Sequence, residues 1–250
     1  MLASVKIFSV LARSIALSLL AAAGPPADGI QVANDKGDSV KPTGLKPVYP
    51  EGYHCPPITS LYGSWTDIDG TRRSEIHTGV DAGNLGDWIV SPASGTVRAV
   101  WRADWSWGSE GALLIRHDRK DVNLEGGPRY YYSEFDHLAY DDIEHLKHGQ
   151  RIERGQRLAR VTRPGGNSAY LPEVHWEVWE VDKDEITWRT NTYGAQDWWN
   201  ETAALIDPLY MLALHNSLGE TQAVRIAPFV RGTEYGRFRG FTYILECVPK

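Results

Sequence analysis

The chain has 250 residues, 42% hydrophobic and 23% charged, a balance found in globular proteins and sufficient for one buried core plus extensions. Its formal net charge of −6, with no basic run to follow a phosphate backbone, excludes DNA and RNA as partners. Ten Trp and twelve Tyr are a large share, and composition alone does not separate aromatics that fill a core from those that stack on sugars or peptides.

At the N-terminus, Lys6 and Arg13 precede a short apolar stretch, Ile15 to Ala23, that ends in Ala21-Ala22-Ala23-Gly24. This is the pattern of a secretory signal over residues 1–23, and the stretch is too short to span a bilayer comfortably. An uncleaved anchor starting nearer Val5 is the alternative, but Arg13 interrupts it. Export and cleavage are therefore expected, with no stable membrane insertion afterwards and a periplasmic or extracellular location. Residues 24–60 are rich in Pro, Gly, Asp and Lys and are expected to be a linker. Only two cysteines occur, Cys55 and Cys247. In an oxidising compartment an even pair is expected to form a disulfide, against the plainer alternative of two unrelated thiols. Closing so long a loop would be worth roughly 4 to 5 kcal/mol in the chain-entropy model.

From about residue 61, short apolar or alternating runs are punctuated by Gly, Pro and Asp. They predict strands at Trp88–Val90, Gly95–Trp101, Gly111–Arg116, Arg129–Phe135, Gln156–Val161 and Val174–Val181. The fold class is mainly β, an antiparallel sandwich or barrel-like sheet with short helices at Asp141–His148 and Thr202–Leu214, the latter interrupted at Asp207-Pro208. The segment 214–250, with apolar runs Val224–Phe229 and Phe241–Val248 around Gly232–Gly240, is expected to add a C-terminal β-hairpin. Trp101, Trp105 and Trp107, with Tyr130 to Tyr132, either line a substrate groove or pack the sheet.

Two segments carry candidate chemistry. Ile76-His77-Thr78-Gly79-Val80-Asp81 and Pro172-Glu173-Val174-His175-Trp176-Glu177-Val178 together offer two imidazoles and a carboxylate, a set that suits Zn²⁺ with a fourth position open. His77 and Asp81 would be about 13 Å apart along a straight strand, so the chain must bend, and Gly79 permits it. Alone, a His-x-x-x-Asp spacing is weak. The context strengthens it: His77-Thr78-Gly79-Val80-Asp81-Ala82, then Ile89-Val90-Ser91-Pro92-Ala93-Ser94-Gly95-Thr96-Val97, Asp136-His137-Leu138, the turns Gly149-Gln150 and Gly155-Gln156, His175-Trp176-Glu177-Val178, and Ile206-Asp207-Pro208-Leu209.

In that order these motifs resemble the lysostaphin-type, or LytM, zinc metallopeptidases over residues 61–213. The resemblance implies one Zn²⁺ per chain held by His77, Asp81 and His175, a catalytic His137, and peptide cross-links of bacterial peptidoglycan as substrate. His54, His117, His145, His148 and His215 match no motif and are expected to be structural or exposed. The chain departs from the family at Glu173, where a second catalytic histidine would stand. Residues two apart in a strand share a face, which would point Glu173 and His175 the same way. Three readings are open: Glu173 acts as general base in a proton shuttle, it ligates the metal and closes the site, or it turns away and leaves His137 alone. A non-catalytic wall-binding or hydrolase-activating protein is the rival from another class. Oligomeric state is not legible.

Overall fold

The computed structural model describes residues 32–33, 39–105, 108–191, 194–215 and 222–250. The expected signal segment, the first part of the expected linker and Trp107 lie outside the described residues. Among these residues no helix is long and apolar enough to cross a membrane.

Strands β1 (Val32–Ala33) and β2 (Ser39–Val40) pair with each other and are followed by β3 (Lys46–Val48), β4 (Tyr53–His54) and β5 (Ile58–Ser60). Next come β6 (Val80–Ala82), β7 (Trp88–Val90) and three long strands, β8 (Gly95–Trp105), β9 (Gly108–Asp118) and β10 (Tyr130–Leu138). After α1 (Tyr140–Ile143) the chain forms β11 (Arg151–Ile152), β12 (Arg157–Arg160), a 3₁₀ turn at Pro164–Gly166 and β13 (Val174–Val181). It ends with the pair β14 (Thr187–Thr190) and β15 (Gln196–Trp199), then β16 (Ala204–Ile206), α2 (Pro208–Ala213), β17 (Ala223–Arg225) and β18 (Val248–Pro249).

The main sheet is antiparallel, in the order β11-β8-β9-β10-β13-β6-β5, with β16 also paired to β13. Alternation along β13 divides it into two faces. Val174, Trp176 and Val178 join Leu113, Ile115 and Phe135 in the larger core, which α2 and the C-terminal Phe241, Tyr243 and Leu245 cover. Trp179 and Val181 face the other way, with Leu114, Tyr132, Trp198 and Tyr62. His175 and Glu177 share this second face, so the candidate site grows out of the smaller core's side of the sheet.

The mainly antiparallel β architecture agrees with the sequence reading, but three local expectations change. The stretch expected to be linker is docked from Val40 onward: Leu45 lies in the core, β5 joins the sheet and β3 and β4 pair with C-terminal strands. The expected C-terminal hairpin does not form. β17 pairs in parallel with β3, β18 pairs with β4, and the bridge between Phe229 and Glu246 is parallel. The first run thus starts against β3, the second lies between β7 and residues 227–229 until Val248 meets β4, and the Cys55–Cys247 disulfide ties the two ends together. Finally, the second expected helix begins only at Pro208. Asp207 caps it by accepting from the Leu209 amide at 2.9 Å, and proline at the first helical position is pre-set for a start there.

Candidate metal centre and catalytic cleft

Sheet register makes the site. Asp81 on β6 lies directly opposite His175 on β13, and Asp136 on β10 lies opposite His175 from the other side. Directly opposed residues in an antiparallel pair point to the same face, so Asp81 and His175 meet although 94 residues separate them. His77 reaches the same point from the loop before β6. What Gly79 supplies here is close approach: a Cβ at this position would lie 2.3 Å from the Trp176 carbonyl oxygen and 3.0 Å from the His175 ring. The bend inferred from sequence is present, and its glycine is required by the backbone of β13.

The outer nitrogens of both imidazoles are committed. His77 Nδ1 donates to the Leu61 carbonyl at 2.9 Å, and His175 Nε2 donates to Glu177 Oε1 at 3.2 Å. The inner atoms then converge: His77 Nε2 is 3.0 Å from Asp81 Oδ1 and 3.1 Å from His175 Nδ1, which is 2.8 Å from Asp81 Oδ1. Three acceptor atoms that face one another repel unless positive charge lies among them. One proton can bridge only one edge of the triangle, whereas a cation meets all three atoms. The donor set, two imidazole nitrogens and one carboxylate oxygen, therefore fits a zinc ion. Arg73 Nη2 pairs with Asp81 Oδ2 at 2.7 Å and also reaches Asp67 and Ser60. This holds the second carboxylate oxygen away and leaves Asp81 a single inward atom.

The same field shapes the titration of these groups. Burial opposes ionisation of Asp81, but His77 and His175 outweigh it and hold the carboxyl well below its usual range. Burial likewise favours neutral His175, yet its hydrogen bonds to Asp81 and Glu177 hold the ring well above the ordinary histidine value. His77 is shifted down by burial. The centre is a buried, carboxylate-rich place that attracts positive charge.

A cleft of about 320 Å³ opens beside these atoms, lined in part by Thr78, Trp105, Asp136, His137, Glu173 and Asp197. His137 enters it because β10 is irregular: between Phe135 and Leu138 the register with β9 shifts, and His137 takes a left-handed backbone angle of φ 63°. Such a bulge re-aims a side chain. Its Nδ1 bonds to Glu110 Oε1 at 2.8 Å, and its Nε2 stands 3.8 Å from Glu173 Oε1. Burial works against the charged ring, but Glu110, and then Glu173, raise its pKa to about 9. Glu173 is pushed up to about 7, first by burial and then by the charge of Asp81.

Glu173 itself lies one residue before β13, bridged to Thr162 through its backbone. Its carboxylate does not belong to the cluster formed by both histidines and Asp81. It lies instead in a second group with Asp67 and Asp81, whose ligand atoms are within 4.8 Å of one another. The structure thus brings together all five residues singled out by sequence, His77, Asp81, His137, Glu173 and His175, around one cleft. Sequence reading missed Glu110, which meets His137 across 27 residues of chain, and Arg73, eight residues before its partner Asp81; neither sits in a motif itself. Of the aromatics, Trp105 lines the cleft, Tyr131 and Tyr132 are buried, and Trp101 packs edge-on against an exposed Trp188 at 5.4 Å.

Residues 75–187 match peptidase family M23. No curated protein matches the chain. Among solved structures, the chain is similar to LytU with 19% identity, covering 65% of this chain and 86% of that one, at a TM-score of 0.38. It is also similar to a zinc-containing peptidase from Vibrio cholerae, with 24% identity, 62% of this chain, 41% of that one and a TM-score of 0.36. The catalytic domain of lysostaphin from Staphylococcus simulans matches with 18% identity, 63% of this chain, 90% of that one and a TM-score of 0.36.

Proposed function

We propose that this chain, which carries a peptidase family M23 domain over residues 75–187, is an exported zinc metalloendopeptidase that hydrolyses peptide bonds of bacterial peptidoglycan. The observation that carries the reading is the convergence of His77 Nε2, His175 Nδ1 and Asp81 Oδ1, three acceptor atoms within 3.1 Å of one another, beside an open cleft. A zinc ion held there would supply Lewis-acid chemistry, polarising a carbonyl and lowering the pKa of water.

The chain's own residues account for the protons. Glu173 Oε1 and His137 Nε2 face each other at 3.8 Å, a spacing that lets one oxygen or nitrogen between them bond to both. Glu173 accepts the proton of the attacking water and delivers it to the leaving amine. His137 donates from Nε2 to the oxygen of the scissile carbonyl as negative charge develops on it. Of the three readings of Glu173, its place across from His137 and outside the two-histidine cluster supports the proton shuttle.

The test joins metal analysis with turnover on purified peptidoglycan. One zinc per chain and release of soluble peptides are expected. Glu173→Gln and His137→Ala should each keep the metal and lower turnover by roughly 10² to 10⁴. A chain without zinc overturns the metal reading. Zinc without cleavage, unchanged by Glu173→His, would make this a wall-binding module instead.

A further inference from the structure

Glu110 is 4% exposed, stands on β9 at the wall of the second face, and belongs to none of the motifs that mark the cleft. Both of its carboxylate oxygens are engaged. Oε1 meets His137 Nδ1 at 2.8 Å, and Oε2 accepts the amide N–H of Gly165 at 2.8 Å. Gly165 lies in the 3₁₀ turn with φ 57° and packs on the start of β9 so closely that a Cβ on Gly108 would lie 2.7 Å from its Cα. The amide is therefore held in place and always presents a donor.

A carboxylate accepts and cannot donate. Facing Glu110, His137 must carry a proton on Nδ1, and the nitrogen left for the cleft is Nε2, the one opposite Glu173. We infer that Glu110 is a positioning residue that fixes the protonated nitrogen of His137 and so assigns Nε2 to the reaction. This rests on the catalytic reading of His137, but the hydrogen-bond logic holds whether or not peptide is cleaved.

Glu110→Gln separates the two. The Gly165 N–H claims the amide oxygen, which turns the NH₂ group toward His137. The ring must then offer a lone pair at Nδ1, so it gives up the proton it holds there and keeps only the one on Nε2. In ¹⁵N-histidine-labelled, zinc-loaded protein, long-range ¹H–¹⁵N correlation should show His137 Nδ1 protonated in the parent and unprotonated in the variant. The His117 ring signals should stay in place and report that the fold is intact. Zinc stoichiometry should not change, and kcat should fall about a hundredfold or more with KM nearly constant. Glu110→Asp keeps an acceptor-only group and is expected to retain the Nδ1 proton with a smaller loss of kcat.

An unchanged Nδ1 proton in Glu110→Gln, or an unchanged kcat, overturns the inference. Should Glu110→Gln not fold, Glu110→Asp decides: an Nδ1 proton retained with lowered kcat supports it, and an Nδ1 proton lost with full kcat refutes it. If the parent binds zinc but cleaves nothing, the catalytic reading fails, and the ring signals still decide the role of Glu110.

Discussion

His117 and the pair His77 and His175 lie on opposite faces of one sheet, and the contrast between them separates a core histidine from a ligand. On the covered face, His117 has both nitrogens matched: Nδ1 donates to the Ser94 carbonyl at 2.9 Å, and Nε2 accepts from the Ser133 hydroxyl at 3.0 Å, with Phe241 packed 4.9 Å away. One neutral tautomer satisfies everything. On the open face, the outer nitrogens of His77 and His175 each donate to one acceptor, while their inner nitrogens converge on each other and on the same Asp81 oxygen. Burial is common to both places. What differs is whether the proton count closes without an added cation, and this is a sharper criterion for a metal site than burial or residue type.

The strongest way to break the comparison is to remove one member of each set. His175→Ala should abolish stoichiometric zinc binding and turnover, a loss beyond the roughly 10- to 100-fold in affinity typical of outer partners. Zinc should also stop raising its melting temperature, since a ligand stabilises only the state that binds it. A His117→Gln variant should keep zinc. If both variants lose it equally, the distinction fails.

The same contrast predicts a pH dependence. Burial lowers the pKa of His117 from 6.5 to about 4, so between these values the unfolded chain binds a proton that the folded chain does not. Stability from this group is full above pH 6.5 and falls as pH drops toward 4, by roughly 3 kcal/mol at 1.36 kcal/mol per pH unit. Asp207, raised to about 6 by burial, titrates in the same window with the opposite sign. The quantity to measure is therefore the difference between parent and His117→Gln in urea unfolding at pH 7 and pH 4.5. A difference independent of pH would show that His117 is not held neutral.

Much of this was legible in the sequence because the ligands come in short segments with strong local signals. Val174–Val181 is a strand over the predicted bounds, and the His77 and His175 motifs lead to the same point. The hidden parts are those that depend on what lies across the sheet. Glu110 acts on His137 from 27 residues away, and only the bulge in β10 aims that ring into the cleft. The C-terminal apolar runs read as a hairpin because sequence shows their alternation and not the N-terminal strands that compete for them. The same competition turns a Pro-rich stretch, otherwise expected to be a tether, into sheet edge and core from Val40 onward.

Gly79 sharpens the comparison from the side of the backbone. Gly79→Ala places a methyl 2.3 Å from the Trp176 carbonyl, where backbone cannot yield cheaply, and overpacking of this kind costs about 1 to 3 kcal/mol. Because β6 must move from β13, zinc affinity should fall along with stability, while the His117 pH difference stays. Stability loss without any effect on zinc would place the ligands' register elsewhere than in the contact between β6 and β13.

The smallest effect tests whether His117 is satisfied by the partners named above. Ser133→Ala removes the one hydroxyl facing Nε2 and leaves a buried acceptor unmatched, which costs about 1 to 3 kcal/mol. At pH 7, where the ring is neutral, the loss of the donor should appear as a destabilisation of that size in urea unfolding. Zinc content should be untouched, because Ser133 and the ligands point to opposite faces of the sheet. No destabilisation at pH 7 would mean that Ser133 is not the donor that satisfies Nε2, and the two faces would then differ in depth and not in how their protons are shared.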